Sequence, residues 1–181
     1  MRIFKCPAEI ADIADNFLNT NFFDLKVQSV ALQSRITRIF MKTTEILLKK
    51  LMEMEGCRLE AYEDAAGVPT IGYGHTKGVR MGDKISPFWA KELLQMDVDE
   101  TEREVRELDV ARTEGQLDAL VSFAFNVGID RLKESTLLKV IRKGGSMQQI
   151  KKEFKRWVYA DGKRLKGLER RREWEARRFF E

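Results

Sequence analysis

Two acidic residues and a threonine, Glu55, Asp64 and Thr70, stand within one stretch of 16 residues. A carboxylic acid can protonate a poor sugar leaving group, while a second carboxylate on the other side of the ring activates water. A hydroxyl group nearby can hold that water in place. The three residues therefore predict hydrolysis of a glycosidic bond, with Glu55 as general acid, Asp64 as base and Thr70 as the residue that positions water.

Each of these residues also has a purely structural interpretation. Glu55 can be a surface acid at a helix end, and Asp64 can form a turn by accepting hydrogen bonds from backbone amides. Thr70 can be an ordinary β-branched residue of a strand. Because 29 of the 181 residues are acidic, a Glu and an Asp at this spacing are weak evidence by themselves.

The elements that position the three residues are predicted to be a helix and a hairpin. Apolar residues recur at helical spacing over residues 46–54, after Thr43 or Thr44, either of which can cap the helix. Gly56 can end it by adopting a left-handed conformation. Glu55 would then lie at the helix C-terminus, where the partial negative charge of the helix favours a neutral carboxyl group.

Glycines and β-forming residues from Cys57 to Val79 predict a small antiparallel sheet. Asp64 would lie in a hairpin turn ended by Gly67, and Thr70 would lie on the following strand. Beyond Asp83 the pattern is helical throughout.

Short polar residues mark the starts of the later helices. The predicted start signals are Ser86 before Pro87, a capping box of Thr113 and Gln116, Ser135, a capping box of Ser146 and Gln149, and Gly167 before a final basic helix. The first of these helices should bury Trp89, Leu93, Met96 and Val98.

The motif Glu55-x8-Asp64-x5-Thr70, followed by Ile-Gly-Tyr-Gly-His-Thr over residues 71–76, resembles the signature of phage-type lysozymes (glycoside hydrolase family 24). Further blocks that resemble the family follow in the family's order, at residues 116–128, 135–138, 156–158 and 167–173. The resemblance covers about residues 41–181. Residues 1–40 resemble no family that we can name and are interpreted as an N-terminal extension of unknown role, either an upstream start or an accessory segment.

The resemblance implies an α+β, mainly α, lysozyme-like fold, with a small antiparallel β-lobe, a larger helical lobe and the active-site cleft between them. It implies a muramidase that cuts the β-1,4 bond between N-acetylmuramic acid and N-acetylglucosamine in peptidoglycan with inversion, as a phage or prophage endolysin acting in host lysis. A lytic transglycosylase is an enzymatic variant, but it needs neither Asp64 nor Thr70. A wall-binding module without turnover is a further alternative.

The resemblance also suggests residues around the cleft. Tyr62 and Phe125 match positions near the cleft, although aromatic residues at helical spacing are as often part of a core. Asn126 and Thr136 match positions that can hydrogen-bond the amide groups of the substrate. His75 is expected to be structural and paired with a carboxylate.

Three consecutive arginines, Arg170, Arg171 and Arg172, are about 100° apart around the final helix, so one or two of them can face the cleft and orient Glu55 or Asp64. Which of them does so is left open by the sequence.

The two cysteines, Cys6 and Cys57, predict no disulfide framework. Cys57 is expected to be a small buried residue beside the active helix, with a nucleophilic role activated by His75 as the competing interpretation. One histidine and two scattered cysteines cannot build a metal cluster, and no cofactor is expected.

The net charge of +4 is unevenly distributed, because residues 142–181 carry 14 Lys and Arg against 6 Asp and Glu. Solvated helix faces explain this pattern, and so does attraction to a polyanion such as the bacterial envelope or a nucleic acid. Peptidoglycan is the partner we predict, and nucleic-acid binding is the less favoured alternative.

The first residues show neither a signal peptide nor an apolar run long enough to span a bilayer. We therefore expect a monomer that stays in the host cytoplasm without stable membrane insertion. The resemblance implies that a separate membrane-permeabilising holin releases it to the cell wall.

Overall fold

The computed structural model describes residues 41–160 and 162–181. The chain divides into two units, Met1–Met41 and Lys42–Glu181. The second is mostly helical and contains a small antiparallel sheet, as predicted. Its elements are α1 (Glu45–Glu55), β1 (Arg58–Glu63), β2 (Pro69–Gly72), α2 (Pro87–Glu107), α3 (Glu114–Val127), α4 (Ile129–Glu134), α5 (Thr136–Arg142), α6 (Met147–Phe154), β3 (Tyr159–Ala160), β4 (Lys163–Arg164) and α7 (Lys166–Arg178). The role predicted for residues 1–40 lies outside the described residues.

Helix α1 carries Glu55 as its last residue and ends where the sequence predicts. Leu47 and Leu51 are buried, and Gly56 follows the helix with a φ of +68°. Thr44 occupies the N-cap position, but its hydroxyl does not cap the helix. It donates instead to Asp118 Oδ2 at 2.6 Å, and its backbone amide donates to Asp118 Oδ1 at 2.9 Å. The start of α1 is therefore fastened to α3 by a tertiary contact.

Strands β1 and β2 form the predicted antiparallel hairpin. Tyr62 lies directly opposite Thr70, and the ladder contains an irregularity between Arg58 and Tyr62. Isolated bridges join Glu60 to Lys84 and Ile71 to His75, so the sheet extends slightly beyond the two strands.

Helix α2 begins as predicted but buries a different face. The Ser86 side chain accepts from the Trp89 amide at 3.2 Å. Trp89 is 56% exposed and Met96 is 60% exposed, so the prediction is wrong for these two residues, whereas Val98 is buried as predicted. The buried residues are Ala90, Leu94, Val98, Glu102 and Val105. Gly72, the last residue of β2, has a φ of +66°, a conformation that favours glycine, and a Cβ added to it would lie at van der Waals contact distance, 3.5 Å, from Ala90 on α2.

Helix α3 is the centre of the helical lobe, and residues 117–124 are buried without interruption. The Phe123 ring meets Phe154 edge-on, with centroids 5.7 Å apart, and meets Trp157 at 5.2 Å. Gly115 allows α7 to approach closely, since a Cβ at this position would lie 2.5 Å from the Arg178 carbonyl oxygen.

The predicted start signals of the later helices hold with two exceptions, the first being Gly167, which lies inside α7 because that helix begins at Lys166. Ser135 caps α5, and Ser146 with Gln149 forms a complete capping box on α6. Thr113 accepts from the Gln116 amide, but the Gln116 side chain accepts from the Arg112 amide at 2.7 Å. The reciprocal half of that capping box is therefore not made.

The prediction that the chain is helical throughout beyond Asp83 is wrong at one place. Strands β3 and β4 form a two-residue antiparallel ladder just before α7. Gly162 has a φ of +71°, and an Asp-Gly pair is a strong hairpin signal that outweighs helical periodicity. Within residues 41–160 and 162–181, no helix is both long and apolar enough to cross a membrane.

Candidate active site

Glu55 lies at the end of α1 with its side chain 24% exposed and held by an arginine. Arg171 Nη1 donates to Glu55 Oε1 at 2.5 Å, a charge-assisted hydrogen bond between residues 116 positions apart. The structure thus shows which of the three consecutive arginines contacts Glu55. Because the contact uses Oε1, the other carboxyl oxygen of Glu55 is left for a different partner.

The two neighbouring arginines have different surroundings. Arg170 is exposed and lines the same cavity as Glu55. Arg172 is fully buried, contacts Glu175, and donates to Asn126 Oδ1. Burial lowers the pKa of the Arg172 guanidinium, and the carboxylate of Glu175 opposes that change. Three consecutive arginines of α7 therefore lie in three different surroundings: Arg170 at the cavity, Arg171 against Glu55 and Arg172 in the core.

Asp64 lies in the hairpin turn immediately after β1, as predicted. Its Oδ1 accepts from the amides of Ala66 at 2.8 Å and Val68 at 2.9 Å. Its own amide donates to the Val68 carbonyl at 3.0 Å. Within the described part of the chain, both side-chain hydrogen bonds of Asp64 fall on Oδ1. The turn-forming role is therefore observed, and neither of these two hydrogen bonds uses Oδ2.

Thr70 is 3% exposed, and its hydroxyl donates to the Val68 carbonyl oxygen at 2.9 Å. The Val68 carbonyl oxygen accepts from both the Thr70 hydroxyl and the Asp64 amide, and the Val68 amide donates to the Asp64 carboxylate. Thr70 and Asp64 are thus both hydrogen-bonded to the backbone of Val68. The hydroxyl proton of Thr70 is used in this contact, so its oxygen can serve a water only as an acceptor.

A cavity of about 690 Å³ opens beside Glu55, between the end of α1 and the start of α7. Its lining residues include Glu55, Asn126, Lys166 and Arg170, whereas Asp64 and Thr70 do not line it. Charged and amide groups suited to a polar, extended ligand border this space. The two hairpin residues therefore lie outside this cavity.

The four predicted substrate-binding residues differ in how they relate to this cavity. Asn126 lines it, and because its Oδ1 accepts from Arg172, its amide NH₂ group remains for a ligand. Tyr62 lies opposite Thr70, with the Arg58 guanidinium 4.1 Å from its ring centroid. Phe125 is half-buried and lines no part of the cavity. Thr136 is also outside it and donates to Glu153 Oε2.

His75 is a structural residue, and both nitrogens of its ring have hydrogen-bond partners. Its Nδ1 lies 2.9 Å from both carboxylate oxygens of Asp97, and its Nε2 lies 3.0 Å from the Lys77 carbonyl oxygen. The sequence predicts a carboxylate partner, and the structure identifies it as Asp97. Both ring nitrogens are engaged, which argues against a role for His75 as the base of a cysteine nucleophile.

Cys57 is exposed, so the expectation that it is buried is wrong. It lies in the two-residue link between the end of α1 and the start of β1. Burial raises the pKa of the Tyr73 phenol, and the neighbouring Cys57 thiol adds to that rise.

Sequence reasoning missed two residues behind the acid. The Ser122 hydroxyl donates to Glu175 Oε1 at 2.7 Å, and its backbone carbonyl accepts from Arg171 Nη2 at 3.2 Å. Glu175 lies three and four positions after the two arginines, the spacing at which oppositely charged side chains meet on a helix. This spacing in the sequence could have indicated that Glu175 pairs with Arg171 and Arg172.

Comparisons with known proteins agree with this fold. Residues 52–175 match the phage lysozyme family. The endolysin of Bacillus phage B103 is 40% identical over 147 residues, which are 77% of this chain and 54% of that protein, so the chain spans about half of that relative.

Two solved structures share the fold. The endolysin from Escherichia coli O157:H7 phage FAHEc1 has a TM-score of 0.69 and 34% identity, covering 78% of this chain and 95% of that one. The muramidase domain of SpmX from Asticaccaulis excentricus has a TM-score of 0.71 and 30% identity, covering 77% and 98%. The helical lobe, the small antiparallel sheet and the match over residues 52–175 together show that the chain belongs to the phage lysozyme family, whose members are peptidoglycan-degrading glycoside hydrolases.

Proposed function

We propose that this protein is a muramidase that hydrolyses the β-1,4 bond between N-acetylmuramic acid and N-acetylglucosamine, and that it acts as a phage or prophage endolysin in host lysis. The observation that carries the proposal is Glu55, fixed by Arg171 at the edge of a cavity of about 690 Å³. The family match over residues 52–175 supports the same activity.

In the proposed reaction Glu55 is the general acid. Arg171 holds Oε1, and the protonated Oε2 gives its proton to the glycosidic oxygen as the bond to the anomeric carbon breaks. The leaving sugar departs with a new hydroxyl group, and positive charge develops on the ring of the muramic acid unit. The contact with Arg171 fixes the direction in which the proton is delivered.

Asp64 and Thr70 act on the attacking water. Asp64 Oδ2 takes one proton of the water, and Thr70 Oγ1 accepts a hydrogen bond from the other, because the Thr70 hydroxyl proton is directed to Val68. The water oxygen then bonds to the anomeric carbon from the face opposite the leaving group. Inversion follows, as in the family that the motif resembles.

Substrate recognition is proposed to depend on the residues predicted from the sequence, with Asn126 as the strongest candidate. Its NH₂ group borders the cavity and can donate to an N-acetyl carbonyl oxygen. The Tyr62 ring, stacked on Arg58, offers a flat surface beside the hairpin. Phe125 and Thr136 remain predictions, with Thr136 committed to Glu153 in the free protein.

The basic C-terminal segment does not favour nucleic-acid binding. Two of its arginines pair with acidic residues outside the segment: Arg171 with Glu55 at 2.5 Å and Arg178 with Asp118 at 2.8 Å. A surface that attracts phosphates needs cations that project into solvent. Part of the excess positive charge of this segment is thus balanced by Glu55 and Asp118 and does not face solvent.

For the cellular setting, we propose a monomer that reaches peptidoglycan after release by a holin. A strain that expresses this protein alone and a strain that also expresses a holin would be compared for culture clearing. Clearing only in the second strain supports the proposal, and rapid clearing in the first contradicts it.

Digestion of purified sacculi tests the activity itself. The released muropeptides should carry reducing N-acetylmuramic acid ends, and proton NMR during digestion should detect the α anomer first. Anhydromuramic ends would indicate a lytic transglycosylase. Pelleting of folded protein with sacculi without any release would indicate a wall-binding module.

A further inference from the structure

A carboxylate that the proposed reaction does not use lies directly behind the catalytic acid. Glu175 is completely buried in α7, where its Oε1 accepts a hydrogen bond from the Ser122 hydroxyl at 2.7 Å. Two guanidinium groups form ion pairs with it, with Arg172 Nη1 2.9 Å from Oε2 and Arg171 Nε 3.4 Å from Oε1. A protonated carboxyl group would need an acceptor for its own proton. The surroundings of Glu175 therefore suit a carboxylate.

The two arginines beside Glu175 create an electrostatic problem for the acid. Arg171 and Arg172 are 4% and 0% exposed, so two adjacent positive charges are held out of water next to Glu55. An unbalanced positive charge near a carboxyl group favours loss of its proton. A general acid has to keep that proton until the bond breaks.

Arg171 joins the two carboxyl groups through different atoms of one guanidinium. Its Nη1 contacts Glu55, its Nε lies near Glu175, and its Nη2 donates to the Ser122 carbonyl oxygen. The orientation of Arg171, and with it the orientation of Glu55, is set from the side of Glu175. Burial raises the pKa of Glu175, and the two guanidinium groups oppose the rise, so the three charges depend on one another.

We propose that Glu175 is a positioning residue for the catalytic acid: it shares Arg171 with Glu55 and balances the buried arginine pair, so that Arg171 orients Glu55 without forcing it to ionise. The inference rests on the proposed function, because it assigns Glu55 as the acid. Arg172 is the counterpart of Glu175, since its removal leaves an unbalanced negative charge at the same place.

Other charged groups face the acid and stay constant in the test. Around the cavity these are Lys50 and Glu53, which pair with each other at 2.7 Å, together with Lys166 and Arg170. They are common to all variants, so differences between variants report on the buried group.

A charge cycle tests the proposal through the pH profile of kcat/KM on sacculi. At high pH, kcat/KM should fall as Glu55 loses its proton; we call this part of the profile the basic limb. In Glu175→Gln the uncompensated arginines favour the ionised form of Glu55, so the basic limb should move to lower pH by about one unit. At a pH above the limb, the variant should then be about tenfold slower than the wild type. In Arg172→Met the excess negative charge should move the limb to higher pH. The double variant, which is charge-balanced, should return the limb close to its wild-type position.

Glu102→Gln is the matched control, because Glu102 is also a buried carboxylate paired with an arginine, Arg106 at 3.0 Å, but it lies on α2 among residues that do not line the cavity. It should lower stability without moving the limb. If Glu175→Gln fails to fold, Arg172→Met and the double variant still test the proposal. The basic limb should lie at higher pH in Arg172→Met and close to its wild-type position in the double variant.

Shifts of the same sign in both single variants, or no shift in any folded variant, would overturn the proposal and leave Glu175 a structural residue. The proposed function fails separately. In that case the wild-type protein itself would release no muropeptides, whatever the variants do.

Discussion

Asp64→Asn separates the two roles that the sequence allows for this residue. In the structure, Asp64 Oδ1 accepts from the amides of Ala66 and Val68, which is the turn-forming role. An asparagine side chain offers the same acceptor oxygen but cannot take a proton from water. The variant should therefore keep the hairpin and lose the base.

The expected magnitudes are well separated. Loss of a general base costs about 10²–10⁴ in rate, or roughly 3–5 kcal/mol of transition-state stabilisation. Two hydrogen bonds to a charged acceptor become bonds to a neutral one, which costs about 1 kcal/mol each. For a protein of this size the melting temperature should then fall by about 4–8 °C.

The assay pairs initial rates of muropeptide release with a thermal melt of the same preparation. Asp83→Asn is the matched control, because Asp83 is also an exposed turn residue whose Oδ2 accepts from the Arg80 amide at 2.8 Å. The control should keep its activity. If Asp64→Asn retains more than a tenth of wild-type activity while Asp64→Ala loses both hairpin and activity, Asp64 is a turn residue and the reasoning is refuted.

Three further predictions follow from the geometry. Thr70→Ser should keep most of the activity and Thr70→Val should lose about 10–100-fold, measured as initial rates; equal activity of the two would mean that the hydroxyl does not hold the water. Gly115→Ala should lower the free energy of unfolding by about 1–3 kcal/mol in urea titrations, because its Cβ would lie 2.5 Å from the Arg178 carbonyl oxygen; an unchanged midpoint contradicts this. Lys166→Gln combined with Arg170→Gln should raise KM for sacculi several-fold and weaken its salt dependence, since both cations line the cavity; an unchanged KM would place the substrate elsewhere.

The local structure around the motif could be predicted because glycines mark its boundaries. Gly56 ends α1 directly after Glu55, and the turn from Asp64 to Gly67 precedes the strand that carries Thr70. These are effects of backbone conformation over a few residues, which sequence patterns report well. The same reasoning correctly predicted the starts of α2, α5 and α6 from their capping residues.

Features that depend on tertiary packing could not be predicted in this way. The buried face of α2 contains Ala90, which lies against Gly72 of β2, whereas the large residue Trp89 is exposed although the periodicity placed it on the apolar face. The choice of Arg171 as the partner of Glu55 depends on the rotation of α7 against α3, which three consecutive arginines do not reveal. The exposure of Cys57 likewise follows from where the link between α1 and β1 leaves the core.

The most direct test of the central claim is turnover of purified sacculi by the wild type and by Glu55→Gln, with mass analysis of the released muropeptides. Glutamine keeps an acceptor for Arg171 Nη1 and cannot donate the acid's proton, so the fold should be retained. The account predicts reducing muropeptides from the wild type and a loss of at least about 10²-fold in the variant. Comparable release by a folded Glu55→Gln would contradict the assignment of Glu55 as the general acid.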